Sequence, residues 1–368
     1  MNLNFNRTDF SVGDTPLSIA SGNFNDDINL DLVVVNLESD NISVLLGDGT
    51  GDFSDRTDIT VGEDPTFVAV GDVNNDGILD LAVASNANNN VSILLGDGLG
   101  NFSLPTNFSV GSSPVPLTVG DFNNDTNLDL AVVNFEGDDV SVLLGDGTGN
   151  FTLNPNNFLV GDGPFSVATG LFDNDNFLDL AVANAFSDDV SILLGDGIGN
   201  FGSPNNFVVG DRPDAISVGD FNSDGQLDLA VGNADDNDVS ILFGDGLGSF
   251  GNRTDFPVGL LPPSVAVGDL NKDGNQDFAV ANFLSNNVSL LLGDGLGNFS
   301  NPRNLDVGDA ARAVVIGDFN NDNREDLAVA NFNSDNISVL VATPTPEPTA
   351  LLGFILLGLL GISARLRR

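Results

Sequence analysis

An Asp-rich phrase of nine residues recurs seven times along this chain. It begins at Asn23, Asp72, Asp121, Leu171, Asp220, Asp269 and Asp318, at steps of 49, 49, 50, 49, 49 and 49 residues. Self-similarity at a fixed period of this length marks a repeat architecture, in which one unit cannot bury its apolar face alone and stacks on its neighbours. The fold must therefore be seven near-copies of one supersecondary unit.

Residues Pro65 to Phe108 show that unit. Thr66 to Asp72 alternates small and apolar residues, the Asp-rich loop follows, and Leu81-Ala82-Val83-Ala84 comes next. Beyond Asn88-Asn89-Asn90 stand Val91-Ser92-Ile93-Leu94-Leu95, the turn Gly96-Asp97-Gly98-Leu99-Gly100, and an extended stretch through Phe102 and Phe108. Short apolar or alternating runs bounded by Gly, Asn and Asp read as strands and turns. Four such strands per unit predict an all-β fold, a seven-bladed β-propeller of four-stranded blades spanning residues 1–342. The last repeat stops at Ile337-Ser338-Val339-Leu340-Val341 without an outer strand, and the chain opens on an unaccompanied one, Phe5 to Val12. These N- and C-terminal strands are expected to pair and close the ring, which removes an exposed edge; an open solenoid is the alternative.

The phrase Gly-Asp-Gly-x-Gly-x-Phe occurs six times, ending at Phe53, Phe102, Phe151, Phe201, Phe250 and Phe299. Glycine there permits positive φ in a hairpin, and the Phe is expected to pack between blades. A phosphate cradle would need a helix N-terminus to follow, and none does.

The nine-residue phrase carries the chemistry. In Asp72-x-Asn74-x-Asp76-Gly77-x-x-Asp80, side-chain oxygens fall at positions 1, 3, 5 and 9, with Gly at 6 for a sharp turn. Calcium takes six to eight hard oxygens, and the first half of the phrase is similar to an EF-hand loop. The second half differs, because its acid stands at position 9 and the loop joins strands. Alone, such a cluster is more often an Asx-rich turn, but seven registered copies favour calcium. Full copies are Asp72, Asn74, Asp76, Asp80; Asp220, Asn222, Asp224, Asp228; and Asp269, Asn271, Asp273, Asp277. Asp318, Asn320, Asp322 and Asp326 have Asn323 in place of Gly, and Asp121, Asn123, Asp125 and Asp129 have Thr126. Two copies are worn and expected to bind weakly or not at all: Asn23, Asn25, Asp27 and Asp31, with Ile28 at the turn, and Asp173, Asp175 and Asp179, with Leu171 in first place. Five calcium sites are expected, and seven at most.

Composition narrows function. The chain has no Cys and no His, which removes disulfides, zinc sites and Ser/His/Asp triads. Its formal charge of −42 excludes nucleic acid as a partner.

The repeats resemble the FG-GAP, or VCBS-like, repeats of integrin α-subunit-type seven-bladed propellers. Phe10-x-Val12-Gly13-x-x-Pro16 recurs as Phe108 to Pro114, Phe158 to Pro164, Phe207 to Pro213 and Phe256 to Pro262, with Ile59 departing in the second repeat and Leu305 and Ala311 in the seventh. The resemblance implies a calcium-stabilised propeller that binds other macromolecules outside the cell. No Arg-Gly-Asp sequence or inserted domain is present, so integrin function itself is not carried over.

Past Val341 the composition changes. Residues 343–349 form a Pro/Thr linker holding Pro346-Glu347-Pro348; Ala350 to Ala364 is an uncharged run, and Arg365, Arg367 and Arg368 close the chain. As a helix the run would span roughly 22 Å, short of the roughly 30 Å bilayer core, and would anchor only with snorkelling arginines or local thinning. This tail looks like a PEP-CTERM sorting signal, which implies an exosortase-type processing enzyme, a transient membrane anchor and an extracytoplasmic propeller. Met1 to Phe5 leads straight into a strand and offers no secretory leader, so export implies a start further upstream. The expected function is a non-enzymatic, calcium-binding surface or matrix protein that presents the propeller to a protein or polysaccharide. A calcium-dependent lectin is the alternative, although Trp and Tyr, the usual sugar platforms, are missing. A hydrolase using paired Asp is a third, weaker reading.

Overall fold

The computed structural model describes residues 3–343, and every named element in that range is a strand. The expected linker, PEP motif, apolar helix and Arg cluster lie outside the described residues. Among the described residues no helix is long and apolar enough to cross a membrane.

Seven antiparallel sheets follow one another along the chain. The first blade comprises β2 (Pro16–Gly22), β3 (Asp31–Asn36), β4 (Asn41–Leu46) and β5 (Asp55–Thr60), in that spatial order. The innermost strands of successive blades neighbour one another in a ring, and the last, Ala311–Gly317, returns to β2. β1 (Asn4–Ser11) pairs antiparallel with Asn336–Thr343 through eight residue pairs, from Asn4 opposite Thr343 to Ser11 opposite Asn336. The seventh blade is thus shared between the two ends of the chain, as the orphan strand implied, and its last strand runs to Thr343.

The core of the described residues is divided. Seven apolar layers lie between consecutive blades; one joins Val33, Val35, Ile42 and Val44 of the first blade to Val68, Leu81, Val83 and Leu94 of the second. The second strand of each blade is buried on both faces, which is why these segments read as continuous Leu/Ala/Val runs. The Phe of each Gly-Asp-Gly turn seals a layer. Phe102 sets its edge on Phe24 of the preceding blade, with centroids 5.6 Å apart, and Phe53 does the same on Phe319 across the closure at 5.7 Å.

Two departures from four regular strands have local causes. The single 50-residue step places one extra residue between Phe151 and Phe158, and the outer strand of the third blade breaks there into Phe151–Leu153 and Phe158–Leu159. The backbone buckles at buried Asn154, whose Nδ2 donates to the Gly199 carbonyl at 2.7 Å. In the sixth blade the inner strand begins only at Ser264, because Pro262 and Pro263 have no N–H to give the ladder.

The inner strands enter through a β-bulge. In six blades the register slips just after the strand's first residue, as between Pro16 and Ser18 and between Pro213 and Ala215. A bulge re-aims the unpaired residue. Leu17, Thr66, Val115, Phe165, Asp214 and Arg312, with Pro263 at the equivalent place, line an axial cavity of about 620 Å³.

Candidate functional site

Alternation of strand direction sorts the loops onto two faces. One face carries the nine-residue loops and the Gly-Asp-Gly turns; the other carries the hairpins after each second strand and the links between blades.

On the first face the loop from Asp72 to Asp80 is a set of Asx turns. Asp72 Oδ1 accepts from the Asp76 amide at 3.1 Å and its Oδ2 from the Gly77 amide at 2.8 Å. Asn74 Oδ1 also accepts from the Asp76 amide, and its Nδ2 donates to Asp76 Oδ2, both at 2.9 Å. The same wiring recurs from Asp121 and Asp220, and from Asp318 the bonds from the Asp322 and Asn323 amides recur. At Asp269 the bonds to the Asp273 and Gly274 amides are kept. Position 6 has positive φ in all seven loops: Gly77, Gly225 and Gly274 at 85–88°, Asn323 at 61°, Asn176 at 73°, Thr126 at 74° and Ile28 at 96°. β-branched residues are strained there, and Ile28 is also 87% exposed. In the first loop Asn23, Asn25 and Asp27 still make the turn bonds. In the fourth, Leu171 supplies no oxygen and only Asp173 and Asp175 remain outside the buried acid.

The ninth-position acids stand apart from the rest. Asp31, Asp80, Asp129, Asp179, Asp228, Asp277 and Asp326 are all fully buried. Each clasps the loop to the far side of its blade. Asp80 Oδ2 accepts from the Val73 amide at 3.0 Å and its Oδ1 from the Gly96 amide at 2.8 Å, at the start of the Gly-Asp-Gly turn. In the seventh blade, which lacks that turn, Ala342 donates in place of glycine. Burial raises these carboxyls, aided by the neighbouring loop acids and opposed by the amide bonds: Asp129, Asp179, Asp228 and Asp277 to about 6 and Asp326 to about 7.

The donor set suits a hard cation. Two carboxylates, an amide oxygen and a buried carboxylate whose oxygens each keep a lone pair supply oxygen alone, and a cation there would offset the cost of burying the ninth-position charge. Five loops keep all four side chains. Among the described residues, however, no three acidic side chains converge as a ready metal cluster, and the oxygens are turned onto loop amides.

The second face holds two devices that sequence reasoning missed. Each second strand ends in a buried Asn, with Ser85 in the second blade. Asn233 Nδ2 donates to Asp238 Oδ1 and to Ser240 Oγ, both at 2.7 Å, and its Oδ1 accepts from the Gly210 amide at 3.1 Å. The first two bonds recur at Asn36, Asn134, Asn184, Asn282 and Asn331. The glycine of the Phe-x-Val-Gly phrase lies on this amide: a Cβ at Gly111 would sit 2.4 Å from Asn134 Nδ2. The second device is a ring of clasps between blades. The hairpin residues Asp40, Asn89, Asp138, Asp188, Asn237, Asn286 and Asp335 each accept, through Oδ1, an amide of the next blade at 2.8–3.0 Å, the last bonding Thr15 across the closure. Much of the Asn and Asp content is therefore hydrogen-bonding hardware. Its signal was legible as a fixed Asn or Asp five residues past the end of each Leu/Ala/Val run.

Comparison with known proteins agrees with this construction. The FG-GAP-like repeat family model matches at residues 23–83, 72–132, 121–182, 172–231, 220–280 and 269–329. No curated protein matches the chain. Among solved structures, BBS1N in complex with ARL6DN is similar at TM-score 0.64 and 14% identity, over 92% of this chain and 95% of that one. A catalytically inactive virginiamycin B lyase from Staphylococcus aureus with quinupristin is similar at 0.63 and 14%, over 92% and 99%. An Agrocybe aegerita lectin that recognises non-reducing terminal N-acetylglucosamine is similar at 0.55 and 16%, over 90% and 87%. At these identities the likeness shows the fold alone. The chain belongs to the FG-GAP-like repeat family, built as a closed seven-bladed β-propeller.

Proposed function

We propose that this chain is a non-catalytic binding scaffold, stabilised by calcium in five of its seven Asp-rich loops and carried outside the cytoplasm by its C-terminal signal. The observation that carries the reading is the register: seven loops on one face recur at near-equal spacing, five of them with the full Asp, Asn, Asp, Asp donor set, and the two expected to stay empty are those with Asn23 for the leading Asp and with Leu171 in its place. When bound, calcium would supply fixed positive charge; Asp72, Asn74, Asp76 and Asp80, with their counterparts from Asp121, Asp220, Asp269 and Asp318, would hold it. The partner is a protein or a polysaccharide. Other propellers of this shape bind a protein or a terminal sugar, as the names of the similar structures state.

Calcium titration of the chelated chain by calorimetry, together with fractionation of the native host, tests this reading. About five equivalents of calcium taken up, with the chain found at the envelope or outside the cell, is the expected result. Absence of calcium uptake, or an intact chain confined to the cytoplasm, would overturn it.

A further inference from the structure

The place where the repeats stop repeating is the mouth of the axial cavity. The bulge position is occupied by Leu17, Thr66, Val115, Phe165, Asp214 and Arg312, no two alike, in a chain that otherwise copies itself blade by blade. Three residues after the first strand residue, the same inner strands carry only Ile, Val or Leu. Packing alone would let the bulge position converge as that one has.

Two of these residues are incompletely partnered. Asp214 is 4% exposed; its Oδ2 pairs with Arg212 Nη2 at 3.0 Å, and its Oδ1 is buried with no hydrogen-bond partner. Arg312, three blades round the ring from Phe165, reaches across the mouth to lie over that ring, 5.6 Å from the centroid. Among the described residues no carboxylate stands within ion-pair distance of its guanidinium. Asp214 and Arg312 feel each other electrostatically, and burial lowers the Arg312 pKa, but they do not satisfy one another. Arg212 is shared between Asp214 at 3.0 Å and Asp235 at 3.7 Å, so the groups at the mouth without a direct partner are the Arg312 guanidinium and Asp214 Oδ1. A buried acceptor left in this state, as Asp214 Oδ1 is, is costly unless something pairs it; half-buried Arg312 stands beside it with no ion-pair partner among the described residues.

We infer that the mouth is a binding site for a small acid with a hydroxyl beside its carboxylate, the carboxylate taken by Arg312 and the hydroxyl donated to Asp214 Oδ1. A simple hydroxy acid, with its hydroxyl on the α-carbon, and a uronic-acid sugar, with its nearest hydroxyl one carbon further on, both offer a carboxylate and a neighbouring hydroxyl. A planar guanidinium suits a carboxylate bidentately, and the cavity is large enough for one sugar residue with ordered water. The site lies on the face opposite the Asp-rich loops, so it does not depend on them. It deepens the reading of the chain as a binding scaffold by naming the ligand's chemistry.

The test is calorimetry on the full chain, with glucuronate, lactate and glucose as probes, in calcium and again in chelator. Saturable binding of glucuronate or lactate, absent for glucose, is expected; which acid binds more tightly identifies sugar acid or hydroxy acid. Arg312→Gln should weaken it at least about tenfold, as loss of a charge-assisted contact does, and Asp214→Ala, which removes the acceptor, should erase the preference for lactate over acetate, a hydroxyl-free control; the lost charge shifts both acids alike and leaves that ratio to report the hydroxyl contact. Circular dichroism of the same variants reports folding, and calcium uptake measured beside it keeps the two claims separate: a folded chain that binds neither acid overturns the mouth site, whether or not it takes up calcium. Binding of glucose equal to that of glucuronate also overturns it.

Discussion

The second blade offers a direct test of the buried Asn hub, because Ser85 stands where six blades have Asn. Ser85 Oγ and Asn90 Oδ1 are both buried without hydrogen-bond partners, whereas in the first blade Asn36 Nδ2 reaches Asn41 Oδ1 at 2.8 Å and Ser43 Oγ at 2.9 Å. Ser85→Asn should recreate those two bonds to Asn90 and Ser92, and it relieves one orphaned acceptor. At about 0.5–1.5 kcal/mol per neutral bond, the gain is about 2 kcal/mol. With about 2.1 cal/mol/K of unfolding entropy per residue over roughly 340 residues, that is a rise of about 3 °C in Tm. The reverse change, Asn233→Ser, removes a donor from a charged partner and should cost about 3 kcal/mol, a fall of about 4 °C. Its pH dependence has a definite sign. Burial raises the Asp238 carboxyl and the bond from Asn233 opposes that rise; without the bond the ionised form is worse off, so the loss grows as pH climbs above the usual carboxylate range. Differential scanning calorimetry of both variants in saturating calcium, repeated at two pH values, reads all three effects. A Ser85→Asn protein no more stable than its parent, beside a neutral Asn233→Ser, would refute the hub.

Other parts of the account are as exposed to test. Phe53→Ala should cost about 3–5 kcal/mol, because this buried ring packs edge-on against both Phe10 and Phe319 at the closure; urea unfolding checks it, and a loss under about 1 kcal/mol would contradict the packing argument. Removing residues 1–11 strips the partner of Asn336–Thr343 and leaves that edge open. The shortened chain should self-associate or lose its fold by light scattering and circular dichroism, and a stable monomer would contradict closure by that strand. Gly111→Ala drives a Cβ into the Asn134 amide and should destabilise by about 2 kcal/mol or more, with Asn134→Ala restoring part of the loss in the double variant.

What the sequence disclosed follows from what repeats. Period and strand alternation were enough for seven blades, and the missing outer strand after Val341 was enough for closure by Phe5 to Val12. The turn Phe residues read correctly as interblade packing because a lone aromatic after a Gly-rich hairpin has nowhere else to go. The ninth-position Asp residues read only as ligands; their second role, clasping Gly96 and its counterparts, depends on a turn sixteen residues further along and has no local signature. Asn134 and its equivalents looked like hairpin punctuation, since the Gly111 that lies on them is more than twenty residues earlier. The channel mouth was hidden by the bulge, which breaks the alternation by which one would assign a side chain to a face. The extra residue before Phe158 was visible as the one 50-residue step, but not the Asn154 buckle that absorbs it.

The claim on which the rest depends is that the Asp-rich loops are calcium sites. The measurement is the melting temperature of the full chain in chelator and in saturating calcium, beside the triple variant Asp76→Ala, Asp224→Ala, Asp273→Ala. Binding at 100 times Kd stabilises by about 2.7 kcal/mol per site, so a calcium-dependent rise of well over 10 °C is expected for five sites, with more than half of it lost in the triple variant. A melting temperature indifferent to calcium would contradict the account, leaving the loops as Asx turns that hold the blades together by hydrogen bonds alone.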